Sequence, residues 1–346
     1  MVRHALLLRA NNNRVFGEAA FGLAAAELAL VDEHVLGGVV IACERQEIAG
    51  VDYLVVDTRE ELGDEGLGVL ANLSSLHALF ALGEDGCFRP LLSRPRQVLD
   101  ADLLTIQRYA GKTNEAFTHL LVNLALAASR DGFARVLAGE RLRLLDPACG
   151  RGTTLNRAAA YGMDAVGIEA DERDVEAYAV FLLTWLKDKR IKHSVDKATL
   201  RKGRARTAHR ITVTYGAAKP VGAQRTVDVV HDDTLLARDH LKPRSIDLLA
   251  CDLPYGVQHG SQPGLGRLDR GPASLLEVAL PVWFDLLRPG AAAALAWNRR
   301  TMPRGLLADL ATDAGFVVDR TDDDAFVHRV DRAITRDVLV AVRPAL

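Results

Sequence analysis

Hydrophobic positions along the second half of the chain come in short apolar runs that stop at acids. Leu142, Leu144 and Leu145 lead into Asp146. Ala165 to Ile168 lead into Glu169, Val227 to Val230 into His231-Asp232-Asp233-Thr234, and Ile246 to Cys251 into Asp252. Runs of this length without strict alternation predict buried parallel strands, and Asp247 is the single interruption in the last one. Helical spacing fills the intervals. Thr153 to Tyr161 is closed by Gly162, a second helix runs from Asp171 to about Leu186, and further helices are predicted over Ala273–Leu287 and Gly305–Ala314. Pro289-Gly290 marks a turn, and Ala291–Trp297 predicts another strand. Phe316–Asp319 and Val338–Val342 predict a last strand pair, with Arg329 to Arg336 leading between them. Alternating strands and helices of this kind predict an α/β fold with a largely parallel sheet.

The first 96 residues differ. His4–Arg9, Val39–Cys43 and Tyr53–Val56 predict strands, Phe21–Asp32 a helix, and Leu67–Leu82 a helix built around Leu70, Leu73, Leu76 and Leu79. These make a small α+β domain over 1–96, joined by the Pro- and Arg-bearing segment RPLLSRPRQVLDAD to a larger domain over 97–346. That domain opens with a helix carrying Phe117, Leu120, Leu121, Leu124 and Leu126, with Asn114 as its candidate N-cap. In the N-terminal part no catalytic constellation is visible, and His34 and His77 are read as ordinary partly exposed histidines in preference to ligands.

Totals narrow the class. The 346 residues are 49% hydrophobic with a formal net charge of −2, so a nucleic-acid partner requires a local basic patch. One exists: Lys187 to Arg210 holds ten Lys or Arg against two Asp. It has two readings, a solvated mobile insertion and a phosphate-contacting arm, and the second is favoured because the rest of the chain is slightly acidic. Without interleaved aromatics it would hold backbone rather than read bases. The four cysteines, Cys43, Cys87, Cys149 and Cys251, form no C-x-x-C pair. This predicts reduced, cytoplasmic usage with no zinc site. No apolar run approaches a membrane span, and no export signal is apparent.

The glycine loop carries the chemistry. Asp146-Pro147-Ala148-Cys149-Gly150-Arg151-Gly152-Thr153 joins a strand to a helix, and glycines there let backbone approach a ligand. The nicotinamide fingerprint G-x-G-x-x-G lacks its third glycine, since Leu155 stands there. Asp146 before the loop suits a ligand bearing an ammonium better than one bearing a pyrophosphate. The stretch resembles motif I of class I methyltransferases, D-x-x-C-G-x-G-T, and Glu169 matches the acid of motif II that accepts the ribose hydroxyls. Asp252-Leu253-Pro254-Tyr255-Gly256 resembles motif IV, [DN]-P-P-[YF], of amino-methyltransferases acting on exocyclic nitrogens of nucleobases.

That resemblance implies a class I (Rossmann-like) sheet and S-adenosyl-L-methionine as cofactor. It places cofactor contacts on Asp146, Pro147, Ala148, Cys149, Gly150, Gly152, Thr153, Glu169 and Ala170. An adenine-amine acceptor is implied at Asp233, with Asp232 as the alternative and Thr234 beside them. Lys112, Thr113 and Asn114, at a helix N-terminus, are candidates for the methionine carboxylate. In the target motif, Asp252 and the Leu253 carbonyl would accept the two N–H groups of the amine, Pro254 would stiffen the turn, and Tyr255 would stack on the base. A glycine-rich basic loop, Gly260–Gly271 with Arg267 and Arg270, has two readings, a closure over that base and a plain flexible loop. The nearest resemblance is to the tRNA guanine-N2 methyltransferases, whose N-terminal ferredoxin-like part the first domain vaguely resembles. The span before the catalytic domain is too short to hold a full THUMP module as well. Competing readings are N6-adenine methylation of DNA and a non-catalytic RNA-binding protein on the same fold.

Overall fold

The computed structural model describes residues 1–10, 14–91, 94–202, 206–220, 222–254, 272–320 and 324–345. The N-terminal unit comprises β1 (Val2–Leu8), α1 (Arg14–Val31), a π-helical turn (Asp32–Leu36), β2 (Val40–Ile48), β3 (Val51–Thr58), α2 (Asp64–Ala71), β4 (Leu76–Leu82) and β5 (Phe88–Pro90). Its sheet has the antiparallel order β2-β3-β1-β4-β5. Its first four strands thus follow a β-α-β-β-α-β chain path in the ferredoxin-like order. The single helix expected over Leu67–Leu82 is instead α2 followed by β4. Asn72 folds back to donate to the Gly68 carbonyl at 2.7 Å, and the Ser74 N–H leaves the helix for Glu27. The three-residue leucine spacing mimicked one helix across a break that Asn72 and two serines impose.

The second unit opens with α3 (Asp102–Thr105), α4 (Glu115–Ala128) and α5 (Gly132–Leu137). It then alternates through β6 (Arg143–Asp146), α6 (Thr153–Tyr161), β7 (Asp164–Glu169), α7 (Glu172–Asp188), β8 (His193–Lys202), β9 (Arg206–Tyr215) and β10 (Arg225–His231). A 3-10 turn (Thr234–Asp239) precedes β11 (Ile246–Asp252). The chain ends through α8 (Pro272–Leu286), β12 (Leu287–Asn298), α9 (Arg304–Asp313), β13 (Val317–Val318), β14 (His328–Arg329) and β15 (Thr335–Val342). The sheet order is β13-β15-β12-β11-β6-β7-β10-β9-β8, with β14 on β15. Strands β10, β7, β6, β11 and β12 are mutually parallel, and β15 runs against them. The order reverses between β6 and β11, and open α/β sheets bind ligands outside the strand ends at such a point.

Most of the basic stretch Lys187–Arg210 is regular strand and not a mobile insertion. This part forms β8 and the start of β9, an antiparallel hairpin added to the edge of β10. Beyond the basic stretch β9 alternates: Val213 and Tyr215 turn inward while Thr212 and Thr214 face the other side.

Helix α4 lies at the centre. Every residue from Phe117 to Ala128 is buried, as in a helix covered on all sides. One hydrophobic cluster runs from Leu6, Phe16 and Leu28 of the N-terminal unit through Phe117, Leu120 and Leu124 to Leu144 and Ala294 of the larger sheet. A polar chain crosses this apolar seam. Glu27 of α1 accepts from Asn123 of α4 at 2.6 Å, Asn123 accepts from the Tyr161 hydroxyl at 2.6 Å, and that hydroxyl meets His119 at 2.5 Å. Asp247, the polar interruption in β11, is also paired. It accepts from Arg135 at 3.2 Å, Arg288 at 2.9 Å and the Arg143 N–H at 2.9 Å, satisfying a buried carboxylate at the sheet edge opposite the acids. Among the described residues no helix is long and apolar enough to cross a membrane.

Candidate active site

Parallel strands β6, β7, β10 and β11 all finish at one edge of the sheet. Asp146, Glu169, the Asp232-Asp233 pair and Asp252 are therefore gathered along it. Each acid has a distinct setting.

Asp146 is only 3% exposed. Burial pushes its carboxyl up to about 7, opposed by hydrogen bonds from Thr154, the Ala148 N–H and the Cys251 thiol, and reinforced by the charge of Asp252. Among the described residues no lysine or arginine is ion-paired to it. A buried anion lacking a cation is a fitting receptor for a cationic ligand group. The glycine loop beside it has backbone that glycine alone adopts freely. Gly150 has φ +49° with open space where a Cβ would point. Gly152 has φ +76°, and a Cβ there would lie 2.3 Å from the Tyr178 ring. The first glycine thus leaves room for a ligand against the backbone, and the second lets α6 dock on α7.

Glu169 is held by that loop. Its two oxygens accept from the Gly150 N–H at 2.8 Å and the Asp171 N–H at 2.9 Å. These bonds fix the carboxylate facing the loop, and each oxygen keeps a second lone pair for a hydroxyl. Asp232 pairs with His240 at 2.5 Å, whereas Asp233 caps the 3-10 turn by accepting from the Leu235 N–H at 3.0 Å. The Thr234 hydroxyl accepts from the Trp283 indole at 3.0 Å, tying the turn to α8. Ala170 contributes its carbonyl to His231 at 3.1 Å. Pro147 and Cys149 are buried supports of the loop, and the Cys149 N–H bonds the Ile168 carbonyl at 3.0 Å.

Asn114 caps α4, accepting from Ala116 at 2.9 Å and Phe117 at 3.3 Å. Its neighbour Thr113 turns toward the target motif and donates to Asp252 Oδ2 at 2.7 Å. Lys112 reaches the Leu104 carbonyl at 2.8 Å and Glu115 at 2.5 Å. Leu253 is buried, with its N–H bonded to the Ala296 carbonyl at 2.8 Å, so β12 anchors the motif. Pro254 is exposed. Tyr255 and the loop through Gly271, with Arg267 and Arg270, lie outside the described residues.

Two groups at this edge have no local sequence signature. Tyr109 hydrogen-bonds the Thr153 hydroxyl at 2.9 Å, and the Arg151 guanidinium lies 5.0 Å from its ring centre while pairing with Asp174 at 2.8 Å. Arg336 of β15 donates to Asp252 Oδ2 at 3.1 Å. Burial pushes the thiols of Cys149 and Cys251 well above the usual cysteine range, which disfavours a thiolate nucleophile here.

The strand order, with five parallel strands, a reversed strand next to them and acids at successive strand ends, is that of a class I, Rossmann-like methyltransferase. Residues 118–279 match the family model UPF0020, described as an RMKL-like methyltransferase domain. No curated protein matches the chain significantly. Among solved structures it is similar to a methyltransferase from Pyrococcus furiosus, at 13% identity over 70% of this chain and 92% of that one, TM-score 0.38. It is also similar to a TehB-like SAM-dependent methyltransferase from Corynebacterium glutamicum, at 16% identity over 62% and 86%, TM-score 0.34. A third is the magnesium protoporphyrin IX methyltransferase of Synechocystis with bound SAM, at 15% identity over 68% and 86%, TM-score 0.36. Methyltransferases of this class draw their methyl group from S-adenosylmethionine.

Two expectations follow. Glu169→Ala weakens S-adenosylmethionine binding by about 1.5–3 kcal/mol, the scale of lost charged hydrogen bonds, as read by calorimetry. Unchanged affinity would remove Glu169 from the cofactor site. The second expectation is a pH effect. Asp146 holds a proton below about 7, and a bound ammonium favours its ionised form. Cofactor affinity therefore rises by about fivefold from pH 6 to about pH 7.5, before the cofactor's own ammonium begins to lose its proton near 8, and Asp146→Asn abolishes the rise. A flat profile for the wild type would place the ammonium elsewhere.

Proposed function

We propose that this protein transfers a methyl group from S-adenosylmethionine to an exocyclic amine of a nucleobase, with guanine N2 in tRNA as the favoured target. The observation that carries this reading is Asp252 at the end of β11, next to the strand that ends in Asp146 and opens the glycine loop. The cofactor supplies an electrophilic methyl on a sulfonium.

The chain supplies position and charge. Asp146 offers a counter-charge for the amino-acid end, Glu169 accepts the ribose hydroxyls, and Asp232 or Asp233 accepts the adenine amine. An exocyclic amine has its lone pair delocalised into the ring and is a weak nucleophile. Asp252 accepts one of its N–H groups and the Leu253 carbonyl the other, which aims the lone pair at the methyl carbon. The bound cofactor would supply the methyl and keep the carbon–sulfur electron pair as the nitrogen–carbon bond forms. The nitrogen turns positive beside the Asp252 carboxylate and sheds one proton to water. Pro254 stiffens the turn, and Tyr255 offers a ring for the base to stack on.

For the nucleic-acid partner, the support is the direction of the hairpin. Strand β8 runs from the edge opposite the acids toward the edge that bears them. Its ten residues span roughly 33 Å, at about 3.3 Å per residue. His209 lies level with His231, the last residue of β10, so the register positions of Arg201, Lys202 and Arg206 fall beyond that end, on the acid-bearing edge. At the other end, Lys189 is bound to Asp100 at 2.8 Å and Asp102 at 2.6 Å. This direction supports taking the second half of Lys187–Arg210, with the N-terminal unit, as the phosphate-contacting part. Neutralising Arg201, Lys202, Arg204 and Arg206 is expected to weaken tRNA binding and to flatten its salt dependence by up to about one log unit of slope per lost contact. Neutralising Lys187, Lys189 and Arg190 leaves both unchanged. Equal effects of the two sets would reduce the hairpin to a solvated edge. The function itself is tested by nucleoside mass spectrometry of tRNA, rRNA and DNA from cells with and without the gene. Loss of N2-methylguanine from tRNA supports the reading, and loss of N6-methyladenine from DNA replaces its substrate.

A further inference from the structure

Because β15 runs against its neighbours, its beginning, not its end, lies at the acid-bearing edge. Arg336 is its second residue and pairs in register with Asn298 of β12, two positions beyond Ala296, the partner of Asp252. Between β15 and β11 lie two strand spacings, roughly 9–10 Å. The Arg336 side chain spans this gap over β12 and donates to Asp252 Oδ2 at 3.1 Å. It is 5% exposed, and its guanidinium rests 4.4 Å from the centre of the Phe117 ring, which itself meets the His328 ring at 5.0 Å. Thr113, on the loop that leads into α4, donates to the same oxygen at 2.7 Å.

We propose that Arg336, with Thr113, is a positioning residue: it holds the Asp252 carboxylate in one rotation, so that this acid meets the target amine in a fixed orientation. The inference rests on the amine-methyltransferase reading given above. Two donors on one oxygen, one a buried guanidinium with a fixed planar fork, remove the rotational freedom of a carboxylate at a loop boundary. The arginine is in turn fixed by its seat on Phe117. A lysine at the same place would keep the charge and lose the planar seat.

The test is a set of variants in which Arg336→Met and Thr113→Val are each combined with Asp252→Ala. Single-turnover methyl transfer to tRNA, cofactor affinity by calorimetry and thermal unfolding are read for each. Arg336→Met is expected to lower the transfer rate by about 10- to 100-fold, with cofactor affinity within about twofold of wild type, and Thr113→Val to lower the transfer rate by a few-fold. Arg336→Lys recovers part of the loss, and added guanidinium partly rescues Arg336→Ala. In the Asp252→Ala background, Arg336→Met costs nothing further, because the group it positions is gone. Should Arg336→Met unfold the protein, Thr113→Val and Arg336→Lys still report on the same oxygen. Transfer at the wild-type rate in Arg336→Met, or equal losses with and without Asp252, overturns the inference while leaving the amine reading intact. Full activity of Asp252→Ala alone overturns that reading instead.

Discussion

Asp252→Ala is expected to lower methyl transfer by about 100-fold or more while leaving S-adenosylmethionine affinity within about twofold. The reason is geometric. Asp252 is the last residue of β11 and, in the proposed reading, faces the target, whereas Glu169 and the glycine loop it bonds face the cofactor. Its carboxylate is already directed by Thr113 and Arg336, so little reorganisation accompanies charge development on the amine. Removing one such preorganised stabiliser usually costs on the order of 100- to 1000-fold in rate. Because the interaction strengthens only as the nitrogen gains charge, the loss falls on the transfer step and not on cofactor binding. Single-turnover kinetics and calorimetry on the same preparation separate the two. A variant as fast as wild type excludes Asp252 from the chemistry, and a large loss of cofactor affinity moves it to the cofactor side.

The second large effect concerns the seam between the two units. Glu27 is fully buried on α1 and is not ion-paired among the described residues. Burial raises its carboxyl from 4.5 to about 7, against the lowering effect of hydrogen bonds from Ser74 and Asn123. The folded protein thus keeps this proton between pH 4.5 and 7, where the unfolded chain has lost it. Stability from this group is complete below about pH 4.5 and is lost as the pH rises through 7, by about 3 kcal/mol in all. Asp146 titrates in the same direction, so the comparison that isolates Glu27 is wild type against Glu27→Gln in urea unfolding from pH 4.5 to 8. The wild type is expected to lose about 3 kcal/mol more than the variant over that range. If the two curves run parallel, the donors from Ser74 and Asn123 hold the carboxylate ionised throughout.

The sequence revealed whatever depended on neighbours in the chain. Asp146, Gly150, Glu169 and Asp252 sit where an apolar run ends, and the run, the turn and the acid are adjacent in sequence, so strand ends and loop could be located together. The Asn114 cap followed from the same kind of local rule. Arg336 could not be found this way. It meets Asp252 from 84 residues away, on a strand whose reversal no local pattern announces. Tyr109 meets Thr153 across 44 residues for the same reason. The hairpin β8–β9 had little local signature, because β8 is exposed along most of its length and only the end of β9, at Val213 and Tyr215, carries a two-residue alternation. The false long helix over Leu67–Leu82 shows the converse, a helical spacing maintained across a break that Asn72 and the serines should have marked.

The central claim is that this edge methylates an exocyclic nitrogen of a nucleobase. It is tested most directly by incubating purified protein with tRNA and methyl-labelled S-adenosylmethionine, then digesting the RNA and identifying the labelled nucleoside by mass spectrometry, with Asp252→Ala in parallel. The account expects label on an exocyclic amine, foremost as N2-methylguanine, and label reduced by about 100-fold or more in the variant. Label on a ring carbon or on a ribose hydroxyl, or equal label from both proteins, contradicts it.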